Sequence, residues 1–199
     1  PVTYYYTANG QISGISVEVY NGVMARPLAL GYFDTVVKDK QYRMHIAFRD
    51  SENNDLCDVD TVFDEPVGDR IVIQPEKVKI SLPLTRREAV KSGYYQGSCF
   101  DGMGYHYFKD LTASSSMTWQ ADNLQPAVIM YNKDEEINAF FIASAWIQED
   151  WTSANEWEPV SLPTYAFCQN TCEADTTCTF SGTDNWSTMH FYFKDYTSV

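Results

Sequence analysis

The sequence predicts an all-β fold, a mainly antiparallel sandwich or barrel with one or two short helices. Short β-prone runs separated by turn residues dominate the chain. Tyr, Phe and Trp, which favour strands, make up 15% of the 199 residues. Because neither a long linker nor a low-complexity tract divides the chain, we expect a single β-rich domain over residues 1–199.

The predicted strands follow one another along the chain. Asn9-Gly10 is a strong tight-turn signal, so residues 3–7 and 12–20 are predicted to form a hairpin. Alternate residues of its second strand form a one-sided apolar face, namely Ile15, Val17 and Val19. Further strands are predicted at residues 42–48, 70–73, 78–82, 105–111, 127–131, 137–147 and 189–193. The run 140–143 is apolar on both sides, which is typical of a central, covered strand.

One segment of the sequence carries a clear signal for the start of a helix. Residues 85–88, Thr-Arg-Arg-Glu, form a capping box, in which the first and fourth side chains satisfy backbone N–H groups at a helix start. Ala89 and Val90 continue the turn, and Gly93 is a plausible stop. We therefore expect a single short helix at this position.

An acidic segment lies between residues 50 and 65. Carboxylates are hard oxygen ligands, so calcium binding is one interpretation. The spacing matches no calcium loop, however, and the segment contains no Gly. A solvated loop is the favoured interpretation.

The charge balance excludes whole classes of partner. The chain carries 27 acidic and 14 basic residues, a net charge of −13. Such a field repels phosphate backbones and anionic membrane surfaces, and no Lys/Arg cluster offsets it, so nucleic-acid binding is rejected. No apolar run approaches the roughly 20 residues of a membrane span.

The cysteines indicate an oxidising compartment. Three of them fall within eleven residues and two lie upstream: Cys168, Cys172, Cys178, Cys57 and Cys99. No CxxC is present and no His lies close to the cluster in sequence, so a disulfide framework is favoured over a zinc site. Five is an odd number, which leaves one thiol either free or bonded to another chain.

Two further features favour secretion. Asn185-Trp186-Ser187 is an N-glycosylation sequon, which makes Asn185 a candidate attachment site. The chain opens with Pro1-Val2-Thr3 and no Met, which is typical of a mature product whose signal peptide has been removed. An extracellular location is therefore expected.

The three histidines are the rarest polar residues of the chain. His45, His106 and His190 each have a Met close by and fall on predicted strands. Imidazole and thioether together suit copper. The alternative is that hydrogen bonds hold the histidines while the Met residues pack in the core. No pair of possible ligands shows a recognised metal spacing.

Catalytic signatures are not found in the sequence. It contains no GxSxG motif for a serine nucleophile and no Gly-rich phosphate loop. Carboxylates are so numerous that their proximity says nothing about glycosidase chemistry. We expect a protein that is not an enzyme.

Aromatic runs supply more ring surface than a domain of this size usually carries. Core packing is expected to absorb Phe140 and Phe141. The runs 4–6 and 191–193 must send rings to both faces of their strands, and one face of a sandwich points outward. Outward rings cover either a partner or a long apolar ligand.

Four segments carry a resemblance to a known family. They are residues 68–75 (GDRIVIQP), 99–108 (ending MGYHYF), 157–163 (beginning WEP) and 187–190 (STMH). Together and in this order they resemble a family of secreted aquatic invertebrate proteins. Its members with a known function resemble the water-soluble blue carotenoproteins of the alarina group, which hold astaxanthin.

The resemblance implies an extracellular protein that binds a hydrophobic pigment, a carotenoid such as astaxanthin, in an aromatic-lined groove. Because a carotenoid is long, the groove is expected to be shared between chains of an oligomer. His106 and His190 would polarise the terminal keto oxygen and shift the absorption to longer wavelength. Tyr105, Tyr107 and Trp119 are the expected wall.

Two alternatives stay open at this point. One is a copper-binding extracellular protein that uses His45, His106 and His190. The other is a structural or adhesive secreted glycoprotein whose aromatic residues serve protein contacts.

Overall fold

The computed structural model describes residues 2–20, 32–36, 41–49, 56–57, 70–74, 79–100, 102–109, 125, 127–144, 158–161 and 185–193. Within these ranges the chain forms twelve strands and one helix. In chain order they are β1 (Val2–Tyr6), β2 (Ile12–Tyr20), β3 (Asp34–Val36), β4 (Gln41–Ala47), β5 (Ile71–Ile73), β6 (Ile80–Leu82), α1 (Arg86–Lys91), β7 (Tyr94–Phe100), β8 (Gly104–Lys109), β9 (Ala127–Tyr131), β10 (Ile137–Ser144), β11 (Glu158–Ser161) and β12 (Asn185–Tyr192).

The fold class is as expected from the sequence. All strand pairs in the described ranges are antiparallel, and they build two six-stranded sheets; the same ranges contain one short helix. The chain divides into an N-terminal unit, Pro1–Ala25 with Leu30–Pro83, and a C-terminal unit, Arg26–Ala29 with Leu84–Val199. One sheet lies in each unit. The expectation of a single domain stays a prediction.

The sheet of the N-terminal unit has the order β1-β2-β4-β5-β6, and β3 also pairs with β4. The predicted hairpin between β1 and β2 is confirmed. Gly10 has a φ of 85°, the left-handed region that glycine enters without a steric penalty, and its N–H donates to the Thr7 carbonyl. In β2, Ile15 and Val17 are buried as predicted.

The sheet of the C-terminal unit has the order β11-β12-β10-β9-β8-β7. Its centre is covered on both faces, because every residue of β9 is buried and Phe140 and Phe141 of β10 are 0% and 3% exposed. The prediction of a central, covered strand and of two core phenylalanines is confirmed. The candidate site lies against these buried central strands.

The helix begins as the sequence predicts. The Thr85 hydroxyl accepts a hydrogen bond from the Glu88 N–H, and the Glu88 carboxylate accepts one from the Thr85 N–H. At the other end Gly93 has a φ of 80°. The capping box and Gly93, from which the helix was predicted, therefore lie at its two ends.

Replacing Thr85 with Ala is expected to lower the free energy of unfolding by about 1 kcal/mol, because the first turn of the helix loses a hydrogen-bond acceptor. Chemical denaturation followed by circular dichroism measures the change. A Thr85→Ser variant retains the hydroxyl and serves as the control. Equal losses in both variants would contradict the capping role.

The cysteines and the sequon are only partly within the described ranges. Cys99 is buried, Cys57 is exposed, and the disulfide framework stays a prediction. Cys168, Cys172 and Cys178 lie outside the described residues, as does most of the acidic segment 50–65. Asn185 opens β12, where it pairs with Ser161, and its glycosylation stays a prediction.

Within the described ranges no helix is long and apolar enough to cross a membrane.

Candidate ligand-binding site

Two of the three histidines meet at one phenylalanine in the C-terminal unit. Phe141 of β10 lies opposite His190 of β12, and their ring centroids are 4.9 Å apart. The ring of His106, on β8, is 5.8 Å from the same phenylalanine. We call these three residues the histidine–phenylalanine cluster.

More rings extend the cluster on both sides. Phe100 meets His106 edge-on at 5.1 Å, and Tyr192 stacks with His190 at 6.1 Å with an interplanar angle of 15°. Exposure rises along this row, because His106 is 4% exposed whereas Tyr192 is 41% exposed. The cluster therefore runs from the buried sheet to the surface.

His106 is neutral at physiological pH. Burial lowers its pKa to about 3, the nearby His190 adds to this, and hydrogen bonds to the Gly104 and Ser98 backbone oppose it. Its Nδ1 is 3.1 Å from the Gly104 carbonyl oxygen, which can only accept, so Nδ1 carries the proton in the tautomer that forms this hydrogen bond. The hydrogen bonding of His106 is thus directed at backbone groups of β7 and β8.

His190 is also neutral but lies nearer the surface. Burial lowers its pKa to about 4, although the residue is half-buried rather than enclosed. A neutral imidazole has one N–H donor and one acceptor nitrogen, and it brings no charge into an apolar site. It suits an apolar ligand with an oxygen at its end.

The predicted wall tyrosines lie on the other face of the sheet. Successive strand residues point to opposite faces, so Tyr105 and Tyr107 point away from His106. Arg86 Nε donates to the Tyr107 hydroxyl at 2.6 Å, that hydroxyl donates to Gln96 at 2.9 Å, and the Arg86 guanidinium lies 5.3 Å from the Tyr105 ring centroid. Burial raises the pKa of Tyr107.

The sheet therefore separates the sequence-predicted residues. His106 and His190 come together, Tyr105 and Tyr107 contact α1 instead, and Trp119 lies outside the described residues. Their roles in ligand binding stay predictions.

His45 belongs to the other unit, where its ring lies 6.2 Å from Tyr5. In the part of the chain that the structure describes, no group of three or more His, Cys, Asp or Glu residues is placed to hold a metal ion. Met44 and Met189 are buried in the core, whereas Met103 is half-buried. The copper hypothesis stays a prediction.

Sequence reasoning missed two features. It assigned Phe141 to the core without seeing that both histidines pack on it. It also missed an open groove of about 200 Å³ in the N-terminal unit, whose lining includes Tyr5, Gly14, His45 and Ala47. Gly14 within a predicted strand was the available signal, since a strand glycine often marks a close backbone approach.

Comparisons of the chain with protein-family models, with curated proteins and with solved structures found no match.

Proposed function

We propose that this protein is an extracellular binding protein for an apolar, ring-bearing pigment, a carotenoid such as astaxanthin. The observation that supports it most is the histidine–phenylalanine cluster. Two neutral imidazoles pack on one buried ring, and the row of rings opens to the surface at Tyr192.

The chemistry of the cluster suits such a ligand. Sites for apolar small molecules combine aromatic walls with a few polar groups that fix the orientation of the ligand. In this cluster the polar groups are imidazoles whose lowered pKa values keep them uncharged, so an apolar end ring can approach without displacing a hydrated ion. Ligand polarity and site polarity therefore match.

The two histidines have different roles in the proposal. His190, half-buried beside exposed Tyr192, hydrogen-bonds the oxygen on the end ring of the pigment. His106 donates to Gly104 and acts through Phe141, whose ring it contacts, so it is a positioning residue. Polarisation of the keto oxygen at one end draws electron density along the polyene and lowers its excitation energy.

The remaining parts of the proposal concern location and assembly. The five cysteines, for which a disulfide framework is expected, and the sequon at Asn185 support an extracellular protein. A carotenoid is a long rod that extends beyond one cluster of rings, so a second chain in an oligomer covers the rest of it. Tyr105 and Tyr107 lie on the opposite face of the sheet from His106 and are left out of the groove at the cluster, whereas Trp119 is kept as a candidate for its wall.

The test is reconstitution of the full chain with astaxanthin. Wild-type protein is expected to retain the pigment through gel filtration and to shift its visible band to longer wavelength. The His190→Phe variant is expected to keep the pigment, with a band close to that of the free molecule, because the ring wall survives and the hydrogen bond is lost. The visible spectrum measures both effects.

His45→Phe is the matched control, since it makes the same replacement in the other unit and should leave the band unchanged. An unshifted band in wild-type protein, or a shifted band that survives His190→Phe, would refute the role given to His190. A weak band that a chelator abolishes would support the copper alternative with His45, His106 and His190. Protein that binds neither pigment nor metal would support a structural or adhesive glycoprotein.

A further inference from the structure

The groove of the N-terminal unit lies on one face of its sheet, and strand register explains its shape. Tyr5 of β1 lies opposite Gly14 of β2, and Gly14 lies opposite Ala47 of β4. Directly paired residues point to the same face of the sheet. The row therefore consists of the ring of Tyr5, the hydrogen atom of Gly14 and the methyl group of Ala47. The two small residues leave the depression of about 200 Å³ beside the ring of Tyr5.

The neighbouring backbone leaves no room for a side chain at position 14. A Cβ added to Gly14 would lie 2.6 Å from the carbonyl oxygen of Ile46, closer than such atoms approach in proteins. Without a shift of the strands, no side chain can fill the groove from this position. The groove is thus a fixed part of the sheet.

The aromatic border of the groove is held in position. The Tyr5 ring is 41% exposed, and its hydroxyl is 2.8 Å from Ser16 Oγ, within hydrogen-bonding distance. Tyr5 lines the groove and is partly exposed, so part of its ring surface is open to a ligand. An aromatic face carries partial negative charge and attracts the positive edges of C–H bonds.

The rest of the border combines polar side chains with the apolar Leu56. His45 is half-buried, Gln74 is exposed, and the Gln74 N–H donates to the His45 carbonyl at 2.8 Å, which holds the two residues side by side. Arg49 also lines the groove, is 3% exposed and donates from Nε to the Ile12 carbonyl. The side-chain amide of Gln74 is both donor and acceptor, which suits hydroxyl groups.

We infer that this groove binds a single neutral carbohydrate ring, stacked on Tyr5 with its hydroxyl groups against Gln74 and His45. A sugar ring has an apolar C–H face and a rim of hydroxyls, which matches one aromatic face bordered by polar side chains. The volume of about 200 Å³ is below the roughly 300–1,000 Å³ of sites for drug-sized ligands, so one ring fits. Arg49, the arginine of the lining, is 3% exposed and donates to the Ile12 carbonyl, and the net charge of −13 disfavours anionic sugars. This site is independent of the proposed pigment site.

The experiment titrates the full chain with the methyl glycosides of glucose, galactose, mannose and N-acetylglucosamine, using saturation-transfer NMR and calorimetry. At least one is expected to bind with a dissociation constant of about 1 mM, as befits a small open site. Tyr5→Ala is expected to weaken that binding about tenfold through loss of the ring face. Ala47→Leu, which fills the groove, is expected to abolish it.

Tyr4→Ala is the matched control. Tyr4 is the neighbouring residue, is 52% exposed and points to the opposite face of β1, so binding should not change. Gln74→Ala alters only an exposed side chain and tests the polar border if another variant fails to fold. Absence of binding by every glycoside, or equal binding by wild type, Tyr5→Ala and Ala47→Leu, would overturn the inference. So would tighter binding of methyl glucuronide than of methyl glucoside, which would indicate an anion site.

Discussion

Replacing Phe140 with Ala is expected to lower the free energy of unfolding of the C-terminal unit by about 3–5 kcal/mol. Phe140 is 0% exposed in β10, its ring stacks on Phe191 at 5.0 Å, and it contacts Phe193 at 5.6 Å. Truncation removes the transfer free energy of the ring and leaves a cavity that a covered sheet cannot readily close. The loss is a large share of the roughly 5–15 kcal/mol that stabilises a typical protein.

Urea denaturation followed by tryptophan fluorescence and circular dichroism measures this loss. Tyr95→Ala is the control, because this ring is 47% exposed in the same sheet and its truncation is expected to cost about 0.5 kcal/mol. Phe140→Leu leaves a smaller cavity and remains measurable if Phe140→Ala does not fold. Similar losses at residues 140 and 95 would contradict the packed core around β10.

Strands with a strong local pattern could be predicted from the sequence. The predicted ranges 12–20 and 127–131 coincide with β2 and β9, because apolar residues and flanking turns mark both ends. The capping box placed α1 for a similar reason, since its two hydrogen bonds join residues only three apart. In each case the information is local.

Three strands were missed, and each lacks such a pattern. The middle of β7 is Gln96-Gly97-Ser98, and its register shifts between Gln96 and Cys99. In β11, Pro159 removes a backbone donor, which a strand tolerates at the end of a sheet order. The third, β3, has only three residues. Pairing with neighbouring strands, rather than local preference, makes these segments extended.

In the candidate site, too, local features could be predicted from the sequence, whereas contacts between distant strands could not. Sequence reasoning placed all three histidines on strands, which is confirmed. It did not show that Phe141 joins His106 to His190, because this depends on the order β12-β10-β9-β8 among residues far apart in sequence. It also grouped Tyr105 and Tyr107 with His106, although strand alternation places them on the opposite face.

Acidification is expected to destabilise the C-terminal unit before its carboxylates titrate. Burial lowers the pKa of His106 to about 3 and that of His190 to about 4, whereas an unfolded histidine has a pKa of 6.5. Above pH 6.5 both states are neutral at these positions. As the pH falls below 6.5, the unfolded chain takes up protons that the folded protein does not, so the free energy of unfolding decreases. The fall continues until the folded histidines titrate near pH 4 and pH 3.

The size of the effect follows from proton linkage. Each histidine that is charged only in the unfolded state lowers the free energy of unfolding by up to about 1.4 kcal/mol per pH unit. Urea denaturation at pH 7, 6 and 5 measures the slope in a range where most carboxylates, with ordinary pKa values of about 4, remain ionised. A His106→Phe/His190→Phe double variant removes both titrations and should show a much flatter profile over this range. Parallel profiles for the double variant and the wild type would mean that these two imidazoles do not control the acid sensitivity, because the protons taken up on unfolding would then bind elsewhere.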